Sequence, residues 1–209
     1  TEYVLYRNDF SSNTADGIRT IEETAGGKVS YDGDGVLVLD ASASTSAYAR
    51  VLLPEYLDGF GDIKITAKLK IDAAKNTKRW ASVMLRVQTA NNYPYMQICL
   101  RSSASLANGT EIAERTTANK WNVTQKASSS INSSEYNTLT ADASGSEIVY
   151  LINGKTQLTE SAVTYVTGAC GFQANGCRLT VDEVTVTVGK VKSTDGKRTG
   201  AFADVRDPD

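Results

Sequence analysis

The chain has 209 residues, 41% of them hydrophobic: enough apolar material for one large β-domain or two small ones, and too much for disorder throughout. Lys and Arg number 22 against 24 Asp and Glu, a formal net charge of -2, so no broad positive field gathers a phosphate backbone, which argues against nucleic acid as a partner. Histidine is absent altogether, which removes Ser/His/Asp and Cys/His nucleophiles, HExxH zinc sites and every imidazole acid or base.

In chain order, period-two alternation predicts strands at Tyr3 to Phe10, Val36 to Asp40 and Ala47 to Leu52. The alternation is cleanest next, where Ile63, Ile65, Ala67, Leu69 and Ile71 interleave with Lys64, Thr66, Lys68 and Lys70, giving one buried and one wet face. Ala81, Val83, Leu85 and Val87 alternate likewise with Trp80, Ser82, Met84, Arg86 and Gln88. Further strands are predicted at Tyr95 to Arg101, Thr110 to Arg115, Trp121 to Gln125, Tyr136 to Asp142, Glu147 to Ile152, Gly168 to Gln173 and Leu179 to Val188. Asn108-Gly109, Asn153-Gly154 and Asn175-Gly176 are read as tight hairpin turns, and the run Asp32 to Gly35 separates another strand pair. So many short strands with no long helical period predict an all-β fold of two antiparallel sheets packed face to face, because each apolar face needs the other as cover.

No apolar run approaches the roughly 18 to 20 residues that cross a bilayer. The chain starts at Thr1 with neither Met nor a leader, read as a removed signal and an excised segment. Cys99, Cys170 and Cys177 are an odd number, so an all-paired framework and a four-thiolate zinc are both out. Cys170 and Cys177 could bridge across Asn175-Gly176 if their Cα atoms face each other, the alternative being buried free thiols. Residues 1–191 are assigned to the sandwich. Residues 192–209 turn polar and are assigned to a tail or a linker to a following domain.

Several segments carry a family resemblance. Asn8-Asp9-Phe10-Ser11-Ser12 with the stretch from Val29 to Leu39, then Phe60 to Ile65, Met84 to Arg86 with Asn91 to Tyr95, Ile148 to Gly154, and Gly168 to Phe172 with Leu179 to Val186 resemble, in order, the segments of concanavalin A-like and laminin-G-like jelly rolls of secreted glycan-active proteins. The resemblance spans roughly residues 3 to 188 and implies a two-sheet jelly-roll β-sandwich, an extracellular or cell-surface setting and carbohydrate or a surface glycan as partner. Ala201 to Asp209 is similar to the connector that joins such modules to the catalytic domain of secreted bacterial glycerophosphodiester phosphodiesterases. That second resemblance implies a following catalytic domain that supplies the histidines missing here, with this chain as accessory module.

Jelly-roll glycanases of the retaining kind place acids as ExDxE or ExDxxE on one strand; no such triplet occurs. Glu22-Glu23, Asp182-Glu183 and Glu111 with Glu114 each fall on opposite faces of an extended chain, so no same-strand dyad forms and the chain is expected to be non-catalytic, the alternatives being a glycan-cleaving enzyme whose carboxylates converge from different strands and a purely structural interaction domain. The candidate ligand face is drawn from two strands joined through the segment Thr89 to Pro94: Trp80 and Tyr95 as stacking platforms, Arg86, Gln97 and Arg101 as polar clamps on sugar hydroxyls. Trp121 is expected to be a core or edge aromatic. Asp32 and Asp34 lack the remaining ligands of a calcium loop and read as a turn. No cofactor is expected. Calcium near the first and last strands, at Asp9 and Asp182, is implied only by the resemblance.

Overall fold

A computed structural model describes residues 2–12, 17–32, 35–88 and 94–189. Among these residues fifteen strands run in chain order, beginning with β1 (Glu2–Asn8), β2 (Arg19–Thr24), β3 (Lys28–Asp32), β4 (Val36–Asp40), β5 (Tyr48–Leu52), β6 (Lys64–Ala74), β7 (Trp80–Val87) and β8 (Tyr95–Arg101). The remainder are β9 (Thr110–Arg115), β10 (Trp121–Ala127), β11 (Asn137–Ser144), β12 (Glu147–Ile152), β13 (Lys155–Glu160), β14 (Ala169–Asn175) and β15 (Cys177–Gly189). The one helical piece among the described residues is a 3-10 turn at Glu55–Leu57. All strand pairs are antiparallel, in two sheets. One sheet has eight strands in the order β13-β12-β11-β6-β15-β4-β3, with β1 also on β15, and the other seven in the order β10-β9-β8-β7-β14-β5-β2. The fold is the predicted two-sheet antiparallel β-sandwich.

The core lies between the sheets. Ile65, Ala67, Leu69 and Ile71 of β6 and Leu37 and Leu39 of β4 meet Val83 and Leu85 of β7, Ile98 and Leu100 of β8 and Phe172 of β14, all buried. Each such aliphatic or aromatic side chain contributes about 1.5–3 kcal/mol by leaving water. Tyr150, on β12, crosses the sandwich and donates its hydroxyl to Cys99 O at 3.3 Å.

β3 was expected only as the partner across the Asp32 to Gly35 turn, and two strands escape the reading altogether: β2, Arg-Thr-Ile-Glu-Glu-Thr, and β13, Lys-Thr-Gln-Leu-Thr-Glu. Both are edge strands with little buried face, so their pairing comes from a neighbour and not from their own pattern. Of the three Asn-Gly hairpins predicted, only Asn153-Gly154 has both residues at positive φ, 50° and 78°, joining β12 to β13. Asn175-Gly176 instead carries the chain from one sheet to the other, and Asn175 donates to Ala47 O at 2.9 Å to fix that crossing. Gly109 closes a longer loop between β8 and β9, where a Cβ would stand 1.9 Å from Ala104 O.

All three cysteines are free and buried. Cys170 is near one end of β14 and Cys177 lies past the other, about 20 Å along the strand, well outside bridging range. Burial pushes both thiols up to about 12. The native protein should therefore resist a thiol reagent at pH 8 and react at all three cysteines only once unfolded, and a reductant should leave Tm unchanged; rapid native labelling of Cys170 or Cys177 would contradict this packing. The boundary at 191/192 and the polar stretch to Asp209 lie outside the described residues.

Candidate functional site

The register of the seven-stranded sheet sets its outer face, turned away from the core, into rows. Tyr48, Asn175, Trp80 and Arg101 stand opposite one another across β5, β14, β7 and β8. The next row is Arg50, Gln173, Ser82, Cys99 and Glu111, and the one after it Leu52, Gly171, Met84, Gln97, Ala113 and Val123. The last row holds Tyr95, Arg115 and Trp121. Trp80, Tyr95, Gln97 and Arg101 thus share one face, as their alternation implies.

Arg86 does not join them. Its φ is 53°, and the register of β14 on β7 shifts beside it, between Ala169 and Gly171. A residue out of the pleat at such a point is re-aimed, and Arg86 is 2% exposed. Its guanidinium donates to Gly61 O (3.1 and 3.3 Å), Gly145 O (2.7 Å) and Tyr165 O (2.8 Å), with Asp62 3.6 Å away. Burial lowers its pKa, and the Asp62 charge works against that. Arg86 is a strut between loops, and none of these contacts is a sugar clamp.

Arg101 stays on the face with three of its five N–H donors engaged: Nε on Asn108 O at 3.0 Å, Nη2 on Glu111 Oε1 at 2.9 Å and Nη1 on Lys78 O. Asn108 Nδ2 also donates to Glu111 Oε1, at 2.9 Å. Across the face Arg50 Nε donates to Glu22 Oε2, and Arg50 Cζ sits 5.8 Å from the Tyr95 ring centroid. Tyr95 donates its hydroxyl to Gln173 Oε1 at 2.8 Å.

Trp121 is the residue sequence reasoning set aside. It lies on the edge strand β10, as an edge aromatic should, but its indole is folded inward over the face. Its centroid is 5.4 Å from that of Trp80 and 5.8 Å from that of Tyr95, near-perpendicular to both, and Arg115 Cζ lies 4.8 Å from its ring. Trp80 and Tyr95 belong to rows about 20 Å apart along the strands, so these two short ring contacts show that all three aromatics lean over the rows between. Tyr48 extends the series, 6.3 Å from Trp80. Trp80 is consequently only 8% exposed and Tyr95 fully buried, while Trp121 keeps 36%. Beneath them Ser82 Oγ, Gln97 Oε1 and Gln173 Nε2 are buried without a hydrogen-bond partner. An orphan of this kind costs about 1–3 kcal/mol. Ser82 was legible from alternation; Gln173 was not, because β14 enters between β5 and β7 from far along the chain.

Chemistry by carboxylates finds little support here. On the strands of this face, among the described residues, the acids are Glu22 of β2 and Glu111 of β9, each ion-paired to an arginine. Five strand spacings separate β2 from β9, about 24 Å, against the ~5–9.5 Å between the two carboxyl groups of glycosidases. The calcium suggested at Asp9 and Asp182 also fits poorly. Asp9 Oδ1 accepts from Ser11 N and Oγ, which lowers its pKa, and Asp182 pairs with Lys68 at 2.7 Å. No group of three or more metal-ligating side chains forms among the described residues. Asp34 and the Asp32 side chain lie outside them, as do residues 89–93.

No family model matches the chain, and no curated protein matches it. Solved structures do. A carbohydrate-binding module, CBM66 from Bacillus subtilis, is similar over 79% of this chain and 91% of its own, at 11% identity and a TM-score of 0.64. A Bacillus subtilis protein of unknown function with a galectin-like fold is 14% identical over 88% of this chain and 96% of its own, with a TM-score of 0.67. A Bacteroides ovatus GH16 protein of a mixed-linkage glucan locus is 15% identical over 88% of this chain and all of its own, with a TM-score of 0.65. What this chain shares with all three is the fold: a jelly-roll β-sandwich of the concanavalin A-like kind.

Proposed function

We propose that this chain is a non-catalytic, extracellular carbohydrate-binding module that serves a larger secreted enzyme. The observation that carries the reading is the aromatic series Tyr48, Trp80, Trp121 and Tyr95 across the outer face of one sheet. Such rings stack on the apolar faces of sugar rings, while bordering polar groups meet the hydroxyls. The wide spacing and arginine pairing of Glu22 and Glu111 support a role without bond cleavage, and the likeness to a module named for carbohydrate binding agrees with it. No helix among the described residues is long and apolar enough to cross a membrane.

Glycan-array screening tests this. Wild type should bind a glycan that the folded Trp80→Ala variant binds tenfold or more weakly, about 1.4 kcal/mol; equal binding by both sinks the reading. The purified chain should turn over neither polysaccharides nor glycerophosphodiesters, and turnover abolished by Glu111→Gln would overturn the non-catalytic role. The finer assignment, to a glycerophosphodiester phosphodiesterase, rests on Ala201 to Asp209, outside the described residues, and none of the structures named above carries that name. The full-length gene product tests it: a histidine-bearing catalytic domain after Asp209 supports the accessory role. A purely structural module is the competing reading, favoured by the burial of Tyr95, Gln97 and Gln173 under the face's own side chains, and it predicts no bound glycan at all.

A further inference from the structure

The floor beneath Trp121 has unspent hydrogen-bonding capacity in one compact patch. Ser82 stands opposite Gln173, and Gln97 opposite Met84 one row further along. Ser82, Gln173 and Gln97 are 1%, 0% and 2% exposed, yet Ser82 Oγ, Gln173 Nε2 and Gln97 Oε1 have no hydrogen-bond partner. The three supply a donor-acceptor, a donor and an acceptor, all uncharged. On the rows of Trp80 and Ser82 the arginines are matched in pairs, Arg101 with Glu111 on one side and Arg50 with Glu22 on the other, while Arg115, in the row of Tyr95, lies against the Trp121 ring and donates to Asn119 Oδ1. Of the three aromatics that lean over this floor, Trp121 is the one on an edge strand, paired among the described residues with β9 alone, and it is still 36% exposed.

We propose that Trp121 fills, in the unliganded protein, the seat of one neutral pyranose unit. The sugar displaces the indole, lies between Trp80 and Tyr95, and exchanges hydroxyl hydrogen bonds with Ser82, Gln97 and Gln173. An indole and a pyranose are both flat rings with apolar faces, so the aromatic walls accept either, but only the sugar satisfies the floor. Ser82, Gln97 and Gln173 carry no charge, so a carboxylate or sulfate seated directly on them would be desolvated there without a counterion and is rejected. This inference rests on the glycan-binding reading and adds to it the ligand class and the gate.

The test uses methyl glycosides of glucose, galactose and mannose, with glucuronic acid as the charged control, titrated by calorimetry into wild type and Trp121→Ala. At least one neutral glycoside should bind Trp121→Ala tenfold or more tightly than wild type, and glucuronic acid should bind neither. Gln97→Leu should abolish that binding in the Trp121→Ala background and, in the wild type, raise Tm, since an orphaned buried acceptor gives way to an apolar group of similar size; a merely structural Gln97 would give a lower Tm. A readout needing no variant is at hand, because Trp80 and Trp121 are the only two tryptophans: bound glycoside should shift wild-type emission to longer wavelength as Trp121 moves into water. Equal or weaker binding by Trp121→Ala, or unshifted emission at saturation, overturns the gate while Trp80-dependent glycan binding would still stand. Failure of any glycan to bind either protein removes the glycan reading itself.

Discussion

Replacing Arg86 with methionine should cost about 3–5 kcal/mol of folding stability. The guanidinium is the shared partner of three backbone carbonyls, those of Gly61, Gly145 and Tyr165, and it is buried beside Asp62. Its removal leaves the buried Gly61 carbonyl and the more exposed Gly145 and Tyr165 carbonyls without their shared donor, and Asp62 without its cation. Methionine has a similar reach and meets the same strain at φ 53°, so the substitution isolates the loss of the donors. Lysine should recover only part of the loss, because one ammonium cannot reproduce a planar fork aimed at several carbonyls. Urea unfolding of the three proteins measures the difference, and a loss under about 1 kcal/mol for Arg86→Met would show that the strut contributes no more than a surface ion pair.

Gly171→Ala should destabilise the protein by about 3 kcal/mol, for a steric reason. A Cβ there would stand 1.9 Å from Val51 O and 2.9 Å from Leu52 Cα, both backbone atoms of the adjoining strand β5. Backbone cannot rotate aside as a side chain does, so β5 and β14 would have to part in the middle of the sheet. Gly59→Ala, where a Cβ meets nothing within 4 Å, is the control and should leave Tm nearly unchanged. If the two variants melt together, the close approach of β5 to Gly171 is wrong.

These two residues mark the limit of what the sequence could convey. Alternation in β6, β7 and β8 was enough to predict two facing sheets and to place Trp80, Tyr95, Gln97 and Arg101 on a common face, because side-chain direction in a strand is set locally. Arg86 broke the same rule for a reason invisible in its neighbours: the shift in register is created by β14, more than 80 residues later. The burial of Trp80 and Tyr95 was hidden for a related reason. It depends on Trp121 reaching back over β9, and nothing in the pattern of β10 specifies the direction in which an edge-strand indole leans. Arg101 looked free in the sequence, since its carbonyl partners on Asn108 and Lys78 belong to loops that carry no side-chain signature.

The pairing of β1 with the far end of β15 places Glu2 directly opposite Gly189, and partners in such a ladder lie only about 5 Å apart between Cα atoms. The topology is therefore close to circular. A permuted chain, with residues 189 and 2 joined by a few glycines and new termini opened after Gly154 in the β12–β13 turn, would break no strand pairing. It should reach the same native state, with its points of attachment moved from the β1–β15 ladder to the β12–β13 hairpin.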